Sequence, residues 1–377
     1  MSEQLGGEIV GVGSYGCVFD KPLKCAGKKK IAPKNKISKI TMDFDAEQEV
    51  SIANILRKRP LWQNFFVLAD PESCKLAPIQ QQREKDLDQC EPVFREESPI
   101  PYSEMTQIFF PWGGRAFGNV FYSTNIHPTK FDFYRFMVHM LQAIGTMTLG
   151  GVCHFDLHPG NILIDQNGVG RLIDFGMAFN GTKIVEKTLD NRWKQLSFGD
   201  AKKAAHWISN QEAPEITVMN AINHGYTVHD AIQNVIYGKN IFKDLASPLF
   251  GIPLSMSRKK LEDFWETSQS ATKGNWVAFW KSYWVGYDSW ALGTILLTVL
   301  MKQLTFKSFT ESSAWKNKRV PILTVIRGLL EPSPRDRIDA IEALALLDPS
   351  NAWLARFGGV VWLEKKEKQR AELLKKT

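Results

Sequence analysis

Between His154 and Gly176 the chain reads HFDLHPGNILIDQNGVGRLIDFG. Asp156, Asn161 and Asp174 are oxygen-bearing side chains of the kind that hold a divalent cation with phosphate oxygens, while a further carboxylate faces an attacking hydroxyl. Ile162-Leu163-Ile164 and Arg171-Leu172-Ile173 are β-rich runs. Asn167-Gly168 between them tolerates positive φ, so the spacing predicts a hairpin. Asn161 precedes the first strand and Asp174 follows the second, which brings both to one end. Asp156 lies five residues before Asn161 on a loop with Pro159 and Gly160, so the three side chains are expected to converge.

This stretch resembles the catalytic loop and metal-binding segment of the eukaryotic protein kinases. The family's HRDxxxxN stands here as His154, Phe155, Asp156 and Asn161, and its DFG as Asp174, Phe175 and Gly176. The resemblance implies that Asn161 and Asp174 hold Mg²⁺ and that Asp156 orients the substrate hydroxyl. Two residues depart from the pattern. Phe155 replaces an arginine. His158 replaces the lysine of serine/threonine kinases, and the HPGN spelling resembles small-molecule phosphotransferases of kinase-like fold.

Elements upstream must position the phosphates. Residues 9–19 read IVGVGSYGCVF, with Gly11, Gly13 and Gly16 in GxGxxG spacing and Val18 after them. A dinucleotide site needs a helix directly after the glycines, whereas here Cys17-Val18-Phe19 continues as strand. Strand, glycine turn and strand resemble the kinase loop over ATP phosphates, which implies Val18 against the adenine. Ile37-Ser38-Lys39-Ile40 resembles the family's strand lysine and makes Lys39 the phosphate partner, with Lys36 the nearest alternative. A helix follows, capped by Asp43 or Asp45, with Val50, Ile52, Ala53, Ile55 and Leu56 on its apolar face and a stop at Pro60. Glu49 is its expected partner for Lys39, and Glu47 the alternative. Residues 21–36 read as a long exposed connection, and 70–104, with five prolines and many charges, as a loop-rich insertion and not a separate core. Met105 to Phe110 reads as a strand leading to the hinge, which places Ile108 behind the adenine.

Downstream, residues 131–149 carry apolar residues at helical spacing and stop at Gly150-Gly151. His154 is expected to buttress the catalytic loop. Residues 174–215 resemble an activation segment closed by Ala213-Pro214-Glu215. Asp288-Ser289-Trp290-Ala291-Leu292-Gly293 matches DxWxxG, whose aspartate receives backbone N–H groups of the catalytic loop. Residues 216–280 are an insertion rich in Phe and Trp, expected to be an extra helical subdomain or a docking surface for a partner. Arg337, with Arg335 as alternative, is expected to pair with Glu215. Where kinases are switched on by activation-loop phosphorylation, the arginine at position 155 pairs with the phosphate. Phenylalanine cannot, so activity is expected not to need one.

At 377 residues the chain can bury a sizeable core, and 44% apolar with 23% charged residues fits an ordered protein. The net charge of +7 comes without fingers, knuckles or aromatic-basic repeats, so no specific nucleic-acid partner is expected. Five cysteines without a CxxC pair indicate neither a disulfide framework nor a zinc site, which fits a reducing compartment. The longest apolar run, residues 289–301, is too short for a bilayer and reads as a buried core helix. With no signal pattern at the start, a soluble, intracellular and cytoplasmic protein is expected.

The expected fold is α+β and bilobal, protein-kinase-like. A small β-rich lobe spans 1–111, a larger helical lobe with insertions spans 112–363, and 364–377 form a charged tail. The resemblance implies a Mg²⁺-dependent kinase that moves the ATP γ-phosphate to Ser/Thr hydroxyls of a protein substrate, with ATP in the cleft between lobes. The alternatives are a small-molecule phosphotransferase and a pseudokinase scaffold. The divergent spelling and insertions resemble, in overall style, kinases of large cytoplasmic DNA viruses, which would imply action in a host cytoplasm or virion.

Overall fold

The computed structural model describes residues 8–13, 16–27, 35–78, 82, 90, 102–122, 127–190 and 209–374. It divides into two units, the first Met1–Gly114 with Arg171–Ala178, the second Arg115–Gly170 with Phe179–Thr377. The boundary thus falls after Gly114, and the stretch holding Asp174 belongs with the first unit.

The first unit is built on β1 (Ile9–Gly13), β2 (Gly16–Phe19), β3 (Ile37–Met42), β4 (Ser73–Lys75) and β5 (Met105–Phe110). They form one sheet in the order β1-β2-β3-β5-β4, and the pairs β1–β2, β2–β3, β3–β5 and β4–β5 are antiparallel. β4 lies within the loop-rich insertion 70–104. Three residues pairing at a sheet edge leave too short a period to read from sequence. The helix α1 (Asp43–Leu56) starts directly after β3 and buries Ala46, Glu49, Ile52, Ala53 and Leu56, a stripe at helical spacing. Neither Asp43 nor Asp45 caps it: the cap position is Met42, without a side-chain bond. The Asp43 carboxylate instead accepts from Thr106 Oγ1 at 2.7 Å and pairs with Lys75.

The cysteine expectation is overturned. Cys17 is bonded to Cys90 and Cys25 to Cys74, leaving Cys153 free and buried. The pairs are 73 and 49 residues apart, so no local spacing announces them; only the folded chain brings them together. Cys17 and Cys90 sit in a core with Phe19, Leu23, Ile40, Leu76 and Met105.

The second unit is helical. Helix Phe133–Leu149 is capped by Asp132, whose side chain accepts from the Arg135 amide at 2.9 Å, and buries Phe136, Met137, Met140, Leu141, Ile144 and Met147. Helix Val285–Gln303 carries the expected apolar run and is core over most of its length. A Cβ on Gly293 would stand 2.9 Å from Leu329 Cβ, so glycine lets this helix approach helix Ser313–Leu329 closely. Strand Ile162–Ile164 pairs with Arg115–Ala116, and a turn follows in which Asp165 accepts from the Asn167 and Val169 amides and Gly168 takes φ 75°.

Residues 216–280 are largely helical, as expected, and lie within the second unit. Phe242, Phe264, Trp265, Phe279 and Trp280 are buried there, and Phe264, Trp265, Trp276 and Phe279 pack on one another with centroids 5.6 to 6.2 Å apart. Phe242 packs on Trp290 with centroids 5.6 Å apart, and Lys260 pairs with Glu331 at 2.6 Å. The charged C-terminal stretch is helical from Gly359 to Leu374. Among the described residues no single helix is long and apolar enough to cross a membrane.

Candidate active site

In the first unit the sheet register lines up one row across the strands. Gly11 faces Val18, Val18 faces Lys39, Lys39 faces Ile108 and Ile108 faces Ser73. Partners in antiparallel register project to the same face, so Val18, Lys39 and Ile108 share one side. Gly13 and Gly16 close the glycine turn as register partners. A Cβ on Gly16 would lie 2.0 Å from Ile40 O, so only glycine lets β2 approach β3 there.

Lys39 is 7% exposed, and its Nζ donates to Glu49 Oε2 at 3.0 Å and to Asp174 Oδ1 at 2.7 Å. Glu49 is the one charged residue on the buried stripe of α1 and needs such a partner. Its second oxygen accepts from the Phe175 amide at 3.4 Å. Burial pulls the Lys39 ammonium down, but the Glu49 and Asp174 carboxylates outweigh it and the net shift is upward, so Lys39 is a fixed cation. Burial pushes the Glu49 carboxyl up, with Lys39 opposing. Glu47 is exposed and Lys36 pairs with Asp70 at 3.3 Å, so neither alternative joins this group. Asp174 takes φ 59°, a left-handed backbone unusual outside glycine. Phe175 is buried edge-on to Phe66, 5.9 Å between centroids, which anchors that turn.

In the second unit Asp156, Asn161 and His158 share the loop ahead of strand Ile162–Ile164. Asn161 Nδ2 donates to Asp156 O at 2.8 Å and to Asp156 Oδ2 at 3.3 Å. Both donations use the amide nitrogen, so Asn161 Oδ1 is left as the acceptor a hard cation requires. Asp174, in the first unit, has a side chain 40% exposed that offers carboxylate oxygen, so each of these two residues by itself carries the hard oxygen donor that suits Mg²⁺. Among the described residues no three His, Cys, Asp or Glu side chains cluster as a metal site of their own. His158 Nδ1 accepts from the Gly160 amide at 3.0 Å, which leaves the ring proton on Nε2, 3.9 Å from Asp156 Oδ2.

The loop is held from below. Asp288 is buried, and its carboxylate accepts from the His154 amide at 2.6 Å and the Phe155 amide at 2.9 Å. Burial raises the Asp288 carboxyl, opposed by His154 and these amides. His154 is fully buried, and its Nδ1 accepts from the Asp156 amide at 3.3 Å. Phe155 takes φ 67° and packs on Trp280 at 5.0 Å and Phe179 at 5.6 Å. Arg337, not Arg335, pairs with Glu215: its two terminal nitrogens donate to the two carboxylate oxygens at 2.7 and 2.8 Å, both side chains fully buried. Arg335 donates to Thr267 at 3.0 Å. The segment 174–215 carries Thr182, Thr188, Ser197 and Ser209 as candidate phosphorylation hydroxyls, of which Ser197 lies outside the described residues. Lys239 stands between two helices with no sequence motif around it, yet is fully buried beside Glu212.

Residues 123–208, under a quarter of the chain, match the ABC1 atypical kinase-like domain. The probable serine/threonine-protein kinase ndrC of Dictyostelium discoideum is 32% identical over 69 residues, 18% of this chain and 5% of that protein. A serine/threonine-protein kinase of Candida glabrata is 24% identical over 176 residues, 45% of this chain and 25% of that protein. Cyclin-dependent kinase F-1 of Oryza sativa subsp. japonica is 27% identical over 97 residues, 26% of this chain and 18% of that protein. The matched stretches thus span a quarter or less of each relative's length. With the small N-terminal sheet and the larger helical part, they identify an α+β kinase-like domain, and the chain is a divergent kinase-like protein.

Proposed function

We propose that this protein transfers the ATP γ-phosphate to serine or threonine hydroxyls of a protein substrate, with Mg²⁺. The observation that carries the reading is Lys39 held as a cation between Glu49 and Asp174, in the same sheet row as Val18 and Ile108. A fixed cation on a rigid strand can orient phosphates and offset their charge. Asn161 and Asp174 would hold Mg²⁺, which when bound neutralises charge on phosphate oxygens. Asp156, tied to Asn161 and with a side chain 47% exposed, faces the acceptor and orients its hydroxyl. The buried Glu215–Arg337 pair and the Asp288 anchor support a protein acceptor, because they belong to the peptide-binding architecture of the kinases this chain resembles.

A small-molecule acceptor is the second reading, favoured by His158-Pro159-Gly160-Asn161 within the atypical kinase-like match. Transfer of the γ-phosphate to a mixed peptide library, beside Asp156→Ala, decides between them. Serine or threonine peptides labelled by the wild type and not by the variant support the first reading. Mg-ATP thermal stabilisation that Asp174→Ala loses, without peptide labelling, moves the acceptor to small molecules.

A further inference from the structure

The second unit contains a fully buried lysine that serves none of the groups discussed above. Lys239 joins helices Val228–Gly238 and Asn240–Leu245, and its backbone is fixed on both sides: its amide donates to Val235 O at 3.0 Å and its carbonyl accepts from the Phe242 amide at 3.2 Å. Its Nζ donates to Ser209 O and, at 2.9 Å, to Glu212 O. Both acceptors are main-chain carbonyls just ahead of Ala213-Pro214-Glu215. Neighbouring residues are gripped as well. Trp290 Nε1 donates to Asn210 O at 2.9 Å, the Ile241 amide donates to Asn210 Oδ1 at 3.3 Å, and Thr217 Oγ1 donates to Glu212.

A buried amine is an expensive way to fill space, since methionine would pack there without desolvation cost. What methionine cannot do is dictate the path of a main chain through two carbonyls at once. The same stretch of helices reaches the catalytic loop through Trp280, which packs against Phe155. Residues 216–283 therefore hold two places together: 209–212 by Lys239 and Phe155 by an aromatic face. In phosphorylation-switched kinases an arginine at the Phe155 position and a phosphate make that connection.

We propose that Lys239 is a positioning residue that holds residues 209–215 in the shape needed for the protein acceptor, so that the helices of 216–283 replace an activating phosphate. The proposal rests on the protein-kinase reading above. It predicts that the segment is set by the fold itself and is ready before any modification.

The test uses the full chain, treated with phosphatase, as wild type, Lys239→Met and Lys239→Gln. Amide hydrogen exchange of 210–215 and steady-state constants for ATP and for a labelled peptide are read side by side. Lys239→Met is expected to speed exchange of 210–215 about tenfold and raise the peptide KM about tenfold, with the ATP KM within about twofold. Lys239→Gln, which keeps a donor, is expected to fall between. If both variants fail to fold, or if ATP and peptide constants worsen together, Lys239 is a stability residue and the proposal is overturned. Unchanged exchange at 210–215 overturns it equally. A phosphatase-treated wild type that binds Mg-ATP but labels no peptide removes the protein-kinase reading and the acceptor role with it, while the exchange rates still report whether Lys239 holds the segment.

Discussion

Lys39 and Glu49 meet at 3.0 Å although only ten residues separate them, because β3 runs straight into α1 without a loop. The helix must bury Glu49 on its second turn, and the strand must send Lys39 to the same side. Breaking a buried pair strands a charge at a cost of about 3–5 kcal/mol. Lys39→Met is expected to destabilise the protein by that order and to abolish phosphoryl transfer. Adding Glu49→Leu should return much of the stability and none of the activity. Denaturant unfolding and ATP turnover of the single and double variants check both halves.

Asp288 uses both carboxylate oxygens on the His154 and Phe155 amides. Asparagine offers one oxygen, so Asp288→Asn leaves one buried N–H without a partner, at about 1–3 kcal/mol. The positive φ of Phe155 is held there. Turnover is expected to fall by about 10- to 100-fold with little change in Mg-ATP binding, since the damage is to the loop carrying Asp156. Kinetics with thermal-shift titration separates the two effects.

Two disulfides close loops of 73 and 49 residues in the first unit. Loop-closure entropy gives each up to about 4 kcal/mol. Non-reducing alkylation after denaturation should therefore label Cys153 alone, and reduction should lower the melting temperature. Labelling of all five cysteines without reductant would remove both bonds from the description.

Burial lowers the Lys239 amine to about 8, against partial support from Glu212 and Glu215. Between about 8 and the ordinary lysine value the unfolded chain binds the proton and the folded chain does not, so stability from this residue rises with pH across that window. The wild type should gain up to about 3 kcal/mol relative to Lys239→Met between pH 7.5 and pH 10.5. Paired denaturant curves at the two pH values measure the difference.

Phe155 packs on Phe179, Trp280 and Tyr287, the last at 6.0 Å. Phosphatase treatment is expected to leave activity within about twofold, because no cation stands at that position to receive a phosphate. Phe155→Arg should place a guanidinium among these rings and lower both stability and activity. Loss of activity on phosphatase treatment of the wild type alone would sink this account.

The residues with chemistry were legible because their spacing is local. Asp156 to Asn161, the turn at Asn167-Gly168, the strand at Met105 and the helix over 133–149 follow from short periods and turn residues. Glu49 is preferred over Glu47 because it directly precedes the apolar part of the helix, as in the family the chain resembles, and the fold places it on the buried stripe of α1. What the sequence could not convey lies in contacts made over long separations. The Cys17–Cys90 and Cys25–Cys74 bonds join positions 73 and 49 residues apart. β4 exists only because β5 offers it a free edge. The aromatics of 216–280 find one another only in the folded chain, Phe264, Trp265 and Phe279 packing together and Phe242 on Trp290. Lys239 shows the limit most plainly. A single lysine between two helices carries no pattern, and its role emerges only where folding buries its amine and leaves two main-chain carbonyls as partners.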